Sequence, residues 1–174
     1  MSQPRLTGGA HRGRVLPCAV APGVRPSAAR VREALFSIVG QDLGGERFLD
    51  AFGGSGLVAL EAWSRGASVV VVERDRRAAA AIRANAAALG ADVDLRAGDV
   101  LALAADLGAF DVVFADPPYR DPAAPVIAAL APLVRGVLVL EVADATPTPA
   151  PPPGMALDRR RAYGDTALAV YRPG

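Results

Sequence analysis

The sequence predicts an α/β fold, a mostly parallel sheet with helices on both faces and an antiparallel C-terminal hairpin. Two observations carry this. From Arg47 onward the short apolar runs RFLDAF, ASVVVVE, DVDLRA, FDVVFA and GVLVLEV alternate with helical stretches, and strands alternating with helices build a parallel sheet. The last third breaks that rhythm. After the proline-rich surface loop TPTPAPPPG, the runs ALDRRRAY and TALAVYR are joined tightly through Gly164-Asp165 and read as a hairpin that closes the sheet.

Taken in order, residues 1–26 are rich in Gly, Pro and Arg with short β-like pieces such as RGRVLPCAV, which predicts a small hairpin or arm rather than a core element. Ser27 stands at an N-cap position, and Val31, Ala34, Leu35, Ile38 and Val39 recur at helical spacing until Gly40. Arg30, Arg32 and Glu33 fall largely off that stripe. A second helix is expected from about Ser55 to Arg65, stopped by Gly66. A third runs from Arg76 to Leu89 and ends at Gly90, and a fourth lies between Ala123 and Val134. There is no internal repeat.

Composition bounds the function classes. At 174 residues the chain is long enough for one domain with a full core and too short for two of ordinary size. No apolar run approaches the roughly 18 residues that a membrane helix needs. No charged-then-apolar leader opens the sequence, so a cytoplasmic protein without membrane contact is expected. Cys18 is the only cysteine and His11 the only histidine, which excludes a disulfide framework and leaves too few soft ligands for a structural zinc site. The net charge is +1, but it is unevenly spread. Residues 1–40 hold Arg5, Arg12, Arg14, Arg25, Arg30 and Arg32 against Glu33 alone, while the acids dominate the rest. All of the basic residues are arginines, so part of the pattern follows from composition bias.

Four sites carry candidate chemistry. DAFGGSG, Asp50 to Gly56, is a glycine-rich turn at the end of the first strand, where backbone passes close under a ligand and helix N–H groups face it. Within it GSGLVA fits the dinucleotide pattern G-x-G-x-x-A, a weak signal for a nicotinamide or flavin enzyme. Glu73, closing the second strand, is placed to accept from both hydroxyls of a ribose. Asp99, after the third, is placed to reach an adenine amino group. Asp50 separates the candidate cofactors, because a carboxylate repels a pyrophosphate and attracts an ammonium. S-adenosylmethionine, with an ammonium, a sulfonium and a ribose, suits these acids better than NAD.

The fourth site is DVVFADPPYRD. Val112, Val113 and Phe114 read as a buried strand, and Pro117 and Pro118, lacking N–H groups, make the following corner rigid. Asp116 and the carbonyl of Pro117 form two adjacent acceptors that match the two hydrogens of an exocyclic amine, and Tyr119 offers a face for stacking on an unstacked base. A rigid turn with a surface tyrosine would explain the prolines but not the acid and ring that flank them.

These motifs resemble a known family. DPPY after the fourth strand and DAFGGSG after the first look like the class I methyltransferases that act on exocyclic amines of nucleic-acid bases, whose fold is Rossmann-like. More narrowly, RGRVL, RPSAARVREALF, FGGSGLVALEAWSRGA, VVVERD and YGDTALAVY resemble the RsmD family of small-subunit ribosomal RNA guanine-N2 methyltransferases, over nearly the whole chain. The resemblance implies a seven-stranded sheet with its last strand antiparallel, S-adenosylmethionine as cofactor, and ribosomal RNA or the small ribosomal subunit as partner; a single small domain with no obvious apolar surface repeat predicts a monomer. The resemblance divides the chain into an RNA-contacting basic arm, residues 1–26, and a methyltransferase domain, residues 27–174. Asp116, Pro117, Pro118 and Tyr119 are implied to be catalytic. Asp50, Phe52, Gly53, Gly54, Ser55, Gly56, Glu73, Arg74, Asp99 and Val100 are implied to hold the cofactor, with S-adenosylhomocysteine the product. Arg12, Arg14, Arg25, Arg30 and Arg32 are expected to meet RNA.

The sequence departs from that family at Ser27, Ala28 and Ala29, where a threonine and a nearby aspartate are usual, and at Gly53, where an alanine is usual and a looser turn is expected. Three rivals stand beside this reading. DPPY binds an amine without naming its ring, so an adenine-N6 or cytosine-N4 DNA methyltransferase is a close one, against which the lack of a separate target-reading domain counts. A nicotinamide-dependent oxidoreductase explains GSGLVA but gives DPPY no use. A catalytically silent RNA-binding module is the third.

Overall fold

The predicted alternation folds into a single sheet of seven strands. The structure is a computed structural model and describes residues 3–17 and 26–174. Five parallel strands, β1 (Arg47–Asp50), β2 (Ser68–Glu73), β3 (Val93–Ala97), β4 (Phe110–Ala115) and β5 (Val134–Ala143), are followed by β6 (Met155–Tyr163) and β7 (Thr166–Pro173). The strand order is β3-β2-β1-β4-β5-β7-β6, with β7 antiparallel to both β5 and β6. The chain winds outward from β1 to β3, then crosses back to lay β4 against the other side of β1. That reversal opens a crevice above the ends of β1 and β4, where sheets of this kind bind ligands.

Helices cover both faces because the strands are apolar on both. On one side α1 (Pro26–Val39), α2 (Leu57–Ser64) and α3 (Arg76–Leu89) bury Leu35, Phe36, Ala59 and Ile82 against Phe48, Val71, Phe114, Val139 and Leu168. On the other, α4 (Val100–Leu103) and α5 (Ala123–Leu130) bury Val100, Ile127 and Leu130 against Leu49, Val113, Leu138 and Ala169. Alternate residues of β1, β2, β4, β5 and β7 therefore serve opposite cores, while the edge strands β3 and β6 are largely exposed. Among the described residues no helix is long and apolar enough to cross a membrane.

The best-punctuated helix forms where its signals lie. Asp75 caps α3, its carboxylate accepting from the Ala78 amide at 2.8 Å, and Gly90 ends it at φ 67°. Two ends differ from expectation. α1 starts at Pro26, so Ser27 falls inside the first turn instead of capping it; proline is pre-set for that first position because its fixed φ is helical and its missing N–H is not needed there. α2 starts at Leu57, since Gly56 at φ 79° is left-handed.

The arm also differs. It is closed by one bridge, Arg5 to Val15, but Leu6 and Leu16 are each only 1% exposed and pack with Leu57, Leu60, Ala86 and Leu89. The arm is thus part of the core, since two leucines on one side of a short hairpin gain more by burial than by standing in water. Ala10 donates to the Ser64 carbonyl at 2.7 Å, the Ser64 hydroxyl to the Gly8 carbonyl at 2.7 Å, and the His11 ring stacks on Trp63 at 4.2 Å. Gly9, at φ 75°, touches the Ser64 carbonyl so closely that no Cβ fits. Cys18 and Arg25 lie outside the described residues.

One buried acid joins these pieces. Glu61 on α2, wholly withdrawn from solvent, accepts from the Thr7 amide at 2.8 Å and hydroxyl at 3.0 Å, from Arg32 Nε of α1 at 3.2 Å, and from Arg65. Arg65 also lies over the Phe36 ring at 4.0 Å and donates to Gln41 at 3.2 Å. Removing one partner of such a cluster strands the others without counter-charge. Glu61→Gln is therefore expected to lower the unfolding free energy by about 3–5 kcal/mol, seen as a lower denaturant midpoint with an unchanged slope; an unchanged midpoint would show that the cluster holds nothing together.

Candidate functional site

The site begins with the last residue of β1. Asp50 is 1% exposed; its Oδ1 accepts from the Phe52 amide at 3.3 Å, and its Oδ2 has no hydrogen-bond partner among the described residues. Burial, reinforced by the charges of Asp116 and Glu73, pushes its pKa up to about 7. A carboxylate oxygen left bare in the interior is costly unless something cationic or donating meets it.

The glycine turn that follows is firmly seated. The Gly53 amide donates to Val72 at 2.8 Å, and a Cβ there would lie 2.5 Å from Val71 Cγ2 and 2.9 Å from Ile82 Cδ1. An alanine at Gly53 would therefore need Val71 and Ile82 to shift, because their side chains fill the space that a methyl would take. Glu73, ending β2, accepts from the Gly54 amide through Oε2 and from the Asp75 amide through Oε1, both at 2.7 Å. Each oxygen keeps a lone pair for a further donor. Asp99 caps α4 by accepting from the Leu101 amide at 2.8 Å.

These residues converge on two adjoining cavities. The first, about 220 Å³, is lined by Phe52, Gly54, Glu73, Arg74, Asp99, Val100, Asp116 and Pro118. The second, about 180 Å³ and roofed by Ala28, Val31 and Arg32 of α1, is lined by Asp50, Gly53, Ser55, Asp116 and Glu141. Phe52, Gly54 and Asp116 belong to both. Gly56 stands behind the site against Ile82 and lines neither cavity. Pro117 is buried, whereas Tyr119 is 60% exposed with its hydroxyl 3.2 Å from that of Thr166.

Glu141 and Thr166 were not singled out from the sequence. Glu141 lies on β5 one position beyond the Ala115–Leu140 pairing, beside Asp116 on the same face of the sheet. The signal was present: VLVLEV sets an acid in an apolar strand just as VVVVE does. Burial pushes Asp116 up to about 6, and burial plus the Asp116 charge pushes Glu141 up to about 8. Three strand-end acids thus surround a space whose chemistry favours a cation.

The arginines expected to meet RNA divide. Arg12 and Arg30 are exposed. Arg14 is also exposed, although it donates to the Ala88 and Leu89 carbonyls at the end of α3, whereas Arg32 is buried and donates to Glu61.

This sheet order, with a cleft at the point where it reverses, is the fold of the S-adenosylmethionine-dependent methyltransferases. The chain belongs to the family described as conserved hypothetical protein 95, whose model matches residues 4–172, and is of the RsmD type. It is 38% identical over 121 residues to ribosomal RNA small subunit methyltransferase D of Escherichia coli K12, an alignment covering 68% of this chain and 61% of that protein. YlbH of Bacillus subtilis is 29% identical over 97% of this chain and 98% of its own length. Among solved structures, the yhhF protein of E. coli superposes with a TM-score of 0.86 at 31% identity, covering 99% of this chain and 98% of that one.

The acids make a pH prediction. Asp50, Asp116 and Glu141 have folded pKa values above those of the unfolded chain, so the native state binds more protons there and loses that advantage as pH rises. The melting temperature of the ligand-free protein should therefore receive from these groups a contribution that falls between about pH 4 and pH 8. Asp50→Asn should flatten the profile; a profile identical to that of the parent would show that Asp50 is not desolvated.

Proposed function

We propose that the protein transfers a methyl group from S-adenosylmethionine to the exocyclic N2 amine of a guanine in small-subunit ribosomal RNA, leaving S-adenosylhomocysteine. The observation that carries this reading is the meeting of Asp116, at the head of a rigid Asp-Pro-Pro-Tyr corner, with a cleft walled by Asp50, Glu73 and Asp99 or its neighbours. The relative named as a small-subunit ribosomal RNA methyltransferase supports the choice of RNA.

The residues present fit the cofactor. The bare Asp50 Oδ2 suits an ammonium, the spare lone pairs of Glu73 suit ribose hydroxyls, and Asp99 suits an adenine amine. A dinucleotide fits poorly, since its pyrophosphate would meet these carboxylates. When bound, S-adenosylmethionine supplies a methyl group on a positively charged sulfur, the carbon–sulfur bond breaking as the nitrogen–carbon bond forms.

The protein's own residues position and deprotonate the amine. Asp116 accepts one N–H and the Pro117 carbonyl the other, which directs the nitrogen lone pair into the cleft. Asp116, pushed up to about 6, is then suited to take the proton that the methylated amine loses. Tyr119 stacks on the extruded base, with its hydroxyl fixed by Thr166. Arg12 and Arg30 hold phosphates.

Tritiated methyl transfer to unmethylated small subunits and to naked RNA, with digestion to nucleosides, tests this reading. Label is expected in N2-methylguanosine, with kcat at least about a hundredfold lower in Asp116→Ala and cofactor binding retained by calorimetry. Label on N6-methyladenosine or N4-methylcytosine would move the reaction to another ring. In the same assay Tyr119→Phe should keep the RNA affinity, while Tyr119→Ala should lose about five- to a hundredfold, the worth of one base stack; equal loss in both would make the hydroxyl, not the ring, the working part.

A further inference from the structure

A second lined groove lies away from the cleft, on the same face of the sheet. It has a volume of about 120 Å³, with walls of α1 on one side and the outermost strand β6 on the other. Beneath it lie the buried Leu168 and Val170 of β7, and Arg159, Arg161 and Tyr163 stand along its outer wall. These three are two residues apart in turn, so they project from one face of the strand at steps of about 7 Å.

The charges in the groove are little used by the protein. Arg161 makes no ion pair among the described residues and lies 5.8 Å from the Tyr163 ring. Arg159 has 56% of its side chain exposed and only a 3.4 Å contact with Asp158, which Arg172 shares at the same distance. Arg160, between them, points to the opposite face and is held by Asp144 at 2.9 Å. The inner wall carries Ala34 and Ile38, and the exposed Arg30 lies one helical turn before Ala34, at the edge of the apolar stripe and toward the roof of the cleft formed by Ala28.

The groove is also continuous with the Asp-Pro-Pro-Tyr corner. Tyr163 pairs with Thr166 across the Gly164-Asp165 turn, and the Thr166 hydroxyl meets that of Tyr119 at 3.2 Å. A chain lying in the groove would therefore arrive beside the ring that receives the base.

We infer that this groove, lined by Arg159, Arg161 and Tyr163, is the seat of the RNA strand that flanks the target nucleotide, the two guanidiniums taking phosphates and the tyrosine a base or ribose face. This rests on the proposed action on RNA and adds its docking surface, which the basic N-terminal segment does not include. Exposed arginines beside an aromatic ring suit a single strand, whose phosphates and unstacked bases are both accessible.

The test uses the full-length protein and naked small-subunit ribosomal RNA. In Arg159→Gln/Arg161→Gln, RNA binding should weaken by about tenfold or more, and the plot of log K against log salt should become shallower by about 1.4, the value for two contacts to a single strand. KM for RNA should rise with kcat and S-adenosylmethionine affinity unchanged. Arg160→Gln removes the same charge from the opposite face and should keep the parent's slope. Arg161→Gln alone, at an exposed position, gives half the effect and guards against loss of folding in the double variant. If the parent methylates RNA and the double variant keeps its slope and KM, the groove is overturned while the reaction stands, as it would be were β6 an edge for peptide pairing. If the parent methylates no RNA, yet its RNA binding weakens as stated in the double variant, the groove is supported and the reaction reading fails. A parent that binds no RNA overturns both.

Discussion

The Glu61 carboxylate, buried in α2, is the constraint on which the front half of the molecule depends. It ties together Thr7 of the arm, Arg32 of α1 and Arg65 at the end of α2, segments brought side by side only by folding. An acid in that position is tolerable because every part of it is met by a donor, and the two arginines it holds are tolerable for the same reason. Helix α1 is thereby fixed over the sheet, and α1 roofs the second cavity with Ala28, Val31 and Arg32. A structural ion cluster thus sets the shape of the cleft, and Arg32 belongs to both.

The cleft has the opposite electrostatics. Asp50, Asp116 and Glu141 face a common space, none of them ion-paired among the described residues although Arg32 stands in its roof, and each is held above the ordinary carboxylate range. Such an arrangement works against the stability of the empty protein at neutral pH, as preorganised sites do. Its return is affinity for a ligand that brings positive charge. The contrast with Glu61 shows how the same residue type serves packing where donors surround it and binding where they are withheld.

Much of the fold was legible because it is encoded locally. The Asp75 cap and Gly90 stop delimit α3, and the acid closing VVVVE marks where β2 reaches the ligand edge. The arginines were read less well. Their clustering in residues 1–40 predicts one RNA-binding patch, but Arg32 is buried against Glu61, because a guanidinium near a buried carboxylate gains more there than in water, while Arg12, Arg14 and Arg30 stay exposed. The run of three arginines on β6 carries no local signal, because only the sheet shows that two of them share a face with Thr166, which meets the Asp-Pro-Pro-Tyr corner.

The sequence by itself determined the class of fold, the strand ends at which acids and glycines stand, and the Asp-Pro-Pro-Tyr corner. These follow from periodicity and from the fixed backbone preferences of Gly and Pro, which act over a few residues. Tertiary structure alone decided that Leu6 and Leu16 belong to the core, that Val71 and Ile82 crowd the place of a side chain at Gly53, and that Glu141 joins Asp116 and Asp50. Each of those outcomes depends on contacts between residues far apart in the chain, which no local pattern specifies and which only the register of β1, β4 and β5 and the packing of the helices across them bring into being.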